Sequence, residues 1–531
     1  SAIFRRSKRS LKERPRNMNF LWENWHNLPE AAARQRQAAR LRQFLRGTVL
    51  PFSAYYQRLF REHNLTADSI QSLDDLAKIP FSTKADLLNT PEHPERFKEL
   101  ILIPDEKVLS RRLGTVCRAL LKGRSAVRKQ FEAEFRPVFM TFTTGRSAEP
   151  VPFLYTQQDL KILAEAGRRV MEVCGAQPSQ RMLNAFPYAP HLAFWLTHYA
   201  GTEFGALMFS CGGGKVMGTD GTLRLIQKLK PDNLIGIPTF LYHVLSQAVA
   251  ERVQWKNLKN IVLGGEKVSD GLRDKLRELA RELGAENVKI LATYGFTEAK
   301  MAFAECQPLG GLRHGHQGNS RPIADHGEQG VRFAEGSTGY HIYPDLCIVE
   351  IVDPKTGQPV PDGHPGEIVF TPLAARGTVV LRYRTGDCVD GGLTWERCPT
   401  CHRQVPRLVG NISRTSEIRE MRLDKIKGTL VDFNELEHVL DGAPQIGAWQ
   451  LELRKTNDDP LERDEIILHV QKLNGADEGR LARELSERCH KTADVHPNKI
   501  LFHDAEKMRE LQGVGTQIKE QKLVDHRPKT K

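Results

Sequence analysis

No apolar run in this 531-residue chain approaches the roughly 18 residues that a bilayer-spanning helix needs. The longest apolar stretches, such as 192–196, are short and broken by polar residues, so a membrane-spanning protein is not expected. Cysteine is scarce: nine in all, an odd count, with only Cys398 and Cys401 close together. That pattern excludes a disulfide framework and points to a reducing, cytoplasmic setting in which a few thiols hold a metal. The 42 Gly and 29 Pro follow no Gly-X-Y period, which excludes a collagenous chain. There is no internal repeat. No apolar signal-peptide core follows the Arg-rich first 18 residues, only FLWENW, which carries charge.

What is present is the composition of a folded protein. Hydrophobic residues make up 40% and charged residues 27%, which excludes a mostly disordered chain. The length predicts two to four domains at roughly 150 residues each. Lys and Arg outnumber Asp and Glu by 77 to 65, a net charge of +12. This balance favours anionic partners: nucleotides, coenzyme A, nucleic acid or an acidic carrier. Residues 1–46 hold twelve Lys/Arg against three Asp/Glu. The basic arm 1–18 reads as solvated chain, with a docking arm as the sharper alternative.

Residues 28–46 and 51–63 read as helices rich in good helix formers. Segment 107–132 is basic, with Arg111, Arg112, Arg118, Lys122, Arg124, Arg128 and Lys129, and its Val108, Leu113, Val116, Leu120 and Leu121 recur at helical spacing. It reads as a surface helix, with a carrier or membrane-surface dock as the alternative. In the middle of the chain, β-prone runs at 233–238, 260–266 and 288–295 alternate with helix-like stretches such as 270–284. This predicts α/β architecture with a parallel sheet. From 347 to 385, strand follows strand across Gly/Pro turns, which predicts antiparallel β. A polar stretch after Gly410 then leads into a smaller α+β unit. The expected organisation is a large domain over 1–412 and a small mobile α+β domain over 413–531.

Four short segments carry chemistry. Thr141-Phe142-Thr143-Thr144-Gly145-Arg146 offers hydroxyls and a glycine turn suited to phosphate. Thr293-Tyr294-Gly295-Phe296-Thr297-Glu298 offers an aromatic to stack on a base and a carboxylate for Mg²⁺. Tyr383-Arg384-Thr385-Gly386-Asp387 places an acid that can accept ribose hydroxyl protons. The C-terminal stretch 518–527 contains Lys519 and Lys522, which can bring charge to an oxyanion. Alone, each reads as a turn or a solvated tail rather than a site.

Their order and spacing change that reading. Together they resemble the adenylate-forming (acyl-CoA synthetase) superfamily, and more narrowly the phenylacetate–coenzyme A ligase family. The similarity runs through WENWHNLPEAAARQRQAARLRQFL, SLDDLAKIPFSTKADLL, GIPTFLYHVL, LKNIVLGGEKVSDGLRDKL, YGFTEA, GYHIYPDLCIVEIVDPKTGQPVPDGHPGEIVFTPL and LRYRTGD, in family order. The resemblance implies ATP-dependent activation of an aryl or other carboxylic acid, with coenzyme A as acceptor. Transfer to an acyl carrier protein or an amine, or nucleotide binding without catalysis, are the alternatives. Nucleic acid is not an expected partner, because no recognised motif accompanies the charge. A homodimer and a monomer both remain open.

The same resemblance implies the roles. Thr143, Thr144 and Gly145 match the phosphate turn, and Gly264, Gly265 and Glu266 the segment along the adenine. Tyr294 and Gly295 would flank the base, Thr297 contact the phosphate, and Glu298 hold Mg²⁺. Asp387 would bind the ribose, Arg414 contact the nucleotide, and Lys519 promote adenylation. Cys306 and His341 stand where relatives have Cys and His; with Cys398 and Cys401 they would form a structural zinc site. Buried free thiols, or a metal held by His314, His316 or His402, are the alternatives. Acid-pocket walls are expected from Phe186, Tyr188, Pro190, His191, Phe240 and Tyr242. The sequence departs from the family pattern at Phe142, where Gly is usual, at Arg146, where Lys is usual, and in a longer stretch after Arg414.

Overall fold

Strands Leu207–Ser210, Arg181–Asn184, Asn233–Gly236, Asn260–Leu263 and Lys289–Phe296 lie side by side in that order, each parallel to its neighbour. The structure is a computed structural model that describes residues 21–90, 93–143, 150–306, 338–414, 425–426, 429–430, 433–456, 464–473, 475–493, 496–517 and 520–527. Every residue of strands Asn233–Gly236 and Asn260–Leu263 is buried, as expected of parallel strands covered on both faces. Helices Leu192–Phe204, Gly214–Leu229, Pro238–Ala250 and Asp270–Glu282 connect successive strands. The Asp270–Glu282 helix begins where Ser269 Oγ accepts from the Leu272 amide, an N-cap that supplies one of the otherwise unpaired first-turn donors.

Strand Lys289–Phe296 changes partner along its length. Lys289 to Ala292 pair in parallel with Asn260 to Leu263, whereas Thr293 to Phe296 pair antiparallel with Met301–Ala304. Short strands Tyr340–His341, Arg407–Leu408 and Leu393–Thr394 extend that antiparallel edge to give nine strands. A separate four-stranded antiparallel sheet holds Cys347–Val352, Gly366–Pro372, Tyr383–Val389 and Ile412–Arg414. The α/β class, the parallel middle and the antiparallel region after 347 agree with the sequence reading.

The helix read over 28–46 is Glu30–Phe44, running on into a wider turn at Leu45–Val49, and the next is Ala54–Glu62. Behind them, Arg169 is fully buried: its guanidinium pairs with both Asp345 oxygens at 2.6 and 2.8 Å, donates to Glu165 at 2.8 Å, and lies 4.4 Å from the Trp25 ring. Residues 436–502 build a core of their own from Leu436, Ile446, Trp449, Leu468, Leu481 and Leu485. It packs on a four-stranded mixed sheet of Lys499–His503, Asp464–Lys472, Ile446–Lys455 and Leu523–Asp525.

Segment 107–132 is helical, but as three pieces: Glu106–Ser110, Leu113–Lys122 and Arg124–Phe135. In the middle piece Thr115 is buried, while Leu113, Val116, Leu120 and Leu121 face solvent. Periodicity identifies the residues that share a helix face; here that face is turned away from the body.

Candidate functional site

The carboxyl ends of the central parallel strands form one edge of the nine-stranded sheet, the edge at which open α/β sheets bind ligands. Gly264 follows strand Asn260–Leu263 there. A Cβ at this position would stand 2.5 Å from Thr293 Oγ1 and 3.3 Å from the Phe186 ring, so only glycine lets the two strand ends approach. Gly265 adopts a left-handed backbone with φ +83°, which glycine tolerates without strain. The chain thus turns to place Glu266, whose Oε2 accepts from the Thr239 hydroxyl at 2.7 Å and the Thr239 amide at 3.3 Å. A carboxylate therefore caps the first turn of helix Pro238–Ala250, where the helix dipole favours negative charge.

On the adjacent strand, Tyr294 and Gly295 lie just past the change of pairing. The Tyr294 hydroxyl donates to Asp387 Oδ2 at 2.9 Å. Asp387 sits opposite Arg414 in strand register, and Arg414 Nε lies 3.4 Å from Asp387 Oδ1. Asp387 is buried, while Arg414 is exposed. Three of the expected nucleotide residues thus meet around one carboxylate. Burial pushes the Tyr294 phenol well above its usual range, and the charge of Asp387 adds to that shift. The phenol stays protonated and able to donate.

Strand Phe296 leads into a single turn, Thr297–Ala299. Glu298 Oε1 accepts from the Tyr383 hydroxyl at 2.8 Å. Burial raises the Glu298 carboxyl above the usual range, against hydrogen bonds, that of Tyr383 among them, and against the cations of Arg414 and Lys84. Tyr383 and Asp387 lie on one strand and both are buried, although the pairing shifts register between Arg384 and Cys388. Tyr383 enters the site through its bond to Glu298, a role its place in the Tyr383–Asp387 segment does not announce.

The phosphate-turn expectation is only partly visible. Strand Phe139–Phe142 ends with the Phe142 carbonyl accepting from the Thr297 hydroxyl at 3.3 Å, with His191 Nδ1 at 3.1 Å from the same oxygen. Phe142 itself is ordinary strand backbone, bonded through its amide to Pro190 O at 2.7 Å. Thr143 is buried and its Oγ1 accepts from the Val151 amide at 3.0 Å. Thr144, Gly145 and Arg146 lie outside the described residues, as do Lys519, His314 and His316. Of the expected acid-pocket walls, Phe186, Phe240 and Tyr242 are buried in the main core, whereas Tyr188 is exposed.

The Cys/His expectation falls on residues that converge. Cys306 follows strand Met301–Ala304, and His341 pairs with Ala304 on the next strand. Cys398 and Cys401 come from the turn between Leu393–Thr394 and Arg407–Leu408. Their four ligand atoms all lie within 4.8 Å of one another. Cys306 Sγ is 3.6 Å from Cys398 Sγ, and Cys401 Sγ is 3.2 Å from His341 Nε2. His341 Nδ1 sits 3.1 Å from the Ala304 carbonyl, which turns Nε2 toward the sulfurs. Such an orienting bond on the far ring nitrogen is the usual partner of a metal-bound imidazole. His402 is not in the cluster.

Contacts between the C-terminal core and the helices of the parallel sheet have no counterpart in the sequence reading. Ser269 Oγ donates to Asp441 Oδ2 at 2.5 Å, and the other Asp441 oxygen accepts from Trp449 Nε1 at 2.7 Å. Lys522 Nζ reaches both Asp441 oxygens at 3.2 Å and Glu437 at 2.9 Å. His243 Nε2 lies 2.8 Å from Gln512 Oε1. No local pattern announces such pairs, because their partners are distant in sequence.

Comparison with known proteins bears on the family and the fold. The sequence matches the AMP-binding enzyme family over residues 73–381. It is 26% identical over 428 residues to a phenylacetate-coenzyme A ligase of Thermus thermophilus, covering 79% of this chain and 77% of that one. A phenylacetate-coenzyme A ligase of Pseudomonas putida is 23% identical over 493 residues, 92% of this chain and 90% of that one. The fold superposes on 2-hydroxyisobutyryl-CoA ligase in its postadenylation state with R3-HIB-AMP at a TM-score of 0.69 and 18% identity, covering 97% of this chain and 94% of that one. With the family match extending over more than half its length, the chain belongs to the AMP-binding enzymes.

Proposed function

We propose that the protein is an ATP-dependent acid–CoA ligase that works through an acyl-adenylate. The observation that carries this reading is the meeting of Tyr294, Asp387 and Arg414 beside the Glu298–Tyr383 pair, at the carboxyl edge of a parallel sheet. In this reading Asp387 accepts the ribose hydroxyls, Tyr294 and Gly295 flank the base, and Gly264 to Glu266 line the adenine. Thr143, Thr144, Gly145 and Thr297 hold the phosphates, and Arg414 closes over the nucleotide.

In the first half-reaction a carboxylate oxygen of the acid attacks the α-phosphorus of ATP. The new P–O bond forms as the bond to pyrophosphate breaks, and pyrophosphate leaves with the electron pair. Two anions meet, so positive charge near the reacting oxygens is required. Lys519 supplies an ammonium there. Glu298, next to Thr297, offers a protein carboxylate that would hold Mg²⁺, a donor type this ion takes at phosphate sites. Bound there, Mg²⁺ supplies Lewis-acid stabilisation of phosphoryl charge. In the second half-reaction the thiolate of CoA attacks the acyl carbon, the C–S bond forms, and the C–O bond to AMP breaks.

Residues 413–531 act as the small lid domain on the large domain 1–412. Cys306, His341, Cys398 and Cys401 suit a zinc ion by number, chemistry and closed arrangement, and that ion is structural. Bound there, it would tie the end of strand Met301–Ala304 to the turn at 398–401.

The test is pyrophosphate release from ATP with a panel of aryl and aliphatic acids, followed by CoA-dependent thioester formation. Acid-dependent release that precedes CoA addition supports the proposal. No release with any acid, together with no ATP binding, rejects it.

A further inference from the structure

Helix Leu113–Lys122 presents its apolar face to solvent. Leu113, Val116, Cys117, Leu120 and Leu121 stand at i, i+3, i+4, i+7 and i+8, a single stripe. Leu113 is 83% exposed, Leu120 81% and Leu121 84%, so the stripe is not merely at the rim of a core. The opposite side holds the helix to the body. Thr115 is buried there, and the Arg112 guanidinium, which precedes the helix, donates to Gly47 O at 2.9 Å. Beyond Gly123, helix Arg124–Phe135 anchors the hairpin through buried Val127 and Phe135.

Charge accompanies the stripe. From 107 to 132 the chain has eight Lys/Arg and one acid, Glu132, which pairs with Arg128 at 3.0 Å. Arg118 borders the stripe next to Leu121 on the helical wheel, Lys122 ends the helix on the side of Thr115, and Arg124, Arg128 and Lys129 follow on the next helix. No helix among the described residues is long and apolar enough to cross a membrane, and this one, at 10 residues, is too short to span a bilayer.

We infer that helix Leu113–Lys122 is a membrane-surface anchor that lays its leucines into the interface of an anionic lipid bilayer. An apolar face bordered by Lys and Arg is the pattern of interfacial helices, whose binding adds apolar burial to attraction for anionic headgroups. The stripe is convex, which a bilayer accepts and a protein partner could match only with a groove. A second copy of the chain fits poorly, because pairing two such faces would bring two predominantly basic clusters together.

Cys117 lies on the stripe and is exposed, whereas the other eight cysteines are buried or half-buried. A polarity-sensitive fluorophore on Cys117 of the full chain therefore reads the environment of this face. With vesicles of phosphatidylcholine containing phosphatidylglycerol, a blue shift and co-sedimentation are expected, and with phosphatidylcholine alone much less of both. The double variant Leu120→Asp, Leu121→Asp should lower partitioning at least about tenfold, given the apolar area those side chains bury, and leave adenylation unchanged. A Lys122→Glu, Arg118→Glu variant should lose binding mainly at low salt. Three results overturn the inference: no partitioning; partitioning unaffected by the leucine variant, which would assign it to the basic arm 1–18; or a blue shift without vesicles that grows with protein concentration or with an added acidic carrier protein.

Discussion

The Tyr294 hydroxyl donates to Asp387 Oδ2 at 2.9 Å, across two sheets that the chain reaches 93 residues apart. One residue comes from the strand where parallel pairing gives way to antiparallel, the other from the strand after the turn-rich region. Their junction is the centre of the proposed nucleotide site.

Asp387→Ala removes the acceptor shared by Tyr294 and Arg414 along with the proposed ribose contact. A hydrogen bond to a charged group contributes roughly 1.5–3 kcal/mol. The KM for ATP in pyrophosphate release should therefore rise about 10- to 100-fold. Tyr294→Phe keeps the ring and removes one donor, so its effect should be smaller. Equal effects of the two variants would count against ribose recognition by Asp387.

The cluster of Cys306, His341, Cys398 and Cys401 should carry about one zinc per chain by elemental analysis, the stoichiometry of a closed four-ligand site. Cys398→Ser should lose the metal and lower the thermal midpoint, because structural zinc binding contributes directly to folding. The kcat of the remaining folded enzyme should change little. A metal-free protein that is equally stable would contradict the assignment.

Arg169 is fully buried between Asp345, Glu165 and Trp25. Asp345→Ala leaves its charge without its bidentate partner. Breaking one side of a buried pair costs about 3–5 kcal/mol, which denaturant unfolding followed by tryptophan fluorescence should read. A change within 1 kcal/mol, the level of an exposed pair, would show that the charge had found water instead.

His243 packs against Gln512, joining helix Pro238–Ala250 to the C-terminal core. Burial lowers its imidazole to about 4, despite the hydrogen bond that Nε2 donates to Gln512 Oε1, which acts the other way. The unfolded chain takes up this proton near pH 6.5. Between pH 6.5 and 4 the unfolded state therefore binds more protons, so stability falls as the pH drops through that window. The loss from this residue is roughly 3 kcal/mol. Unfolding measured across that range should show it in the native chain and show a flatter profile in His243→Gln.

The parallel strands are legible because Asn233–Gly236 and Asn260–Leu263 are short apolar runs and a charged helical stretch, Asp270–Glu282, follows the second, a pattern that follows directly from burial of the strands on both faces. Asp387 is legible through its motif, whereas the role of Tyr383 is not, because the strand shifts register between them and its partner Glu298 is 85 residues away. Cys306 and His341 could be joined to Cys398 only through family resemblance, since Cys306 and Cys398 stand 92 residues apart. The pairing of Ser269 with Asp441 had no local signal at all. Helix Leu113–Lys122 shows the reverse limit: spacing grouped its leucines correctly, but whether a face meets the core or solvent is decided by the rest of the fold.

Calorimetric titration with a sulfamoyl mimic of an aryl-adenylate addresses the central claim most directly. The account predicts saturable binding at one site per chain, weakened by Asp387→Ala and unaffected by Leu120→Asp. No heat with either this mimic or ATP, from a chain shown to be folded, would contradict it.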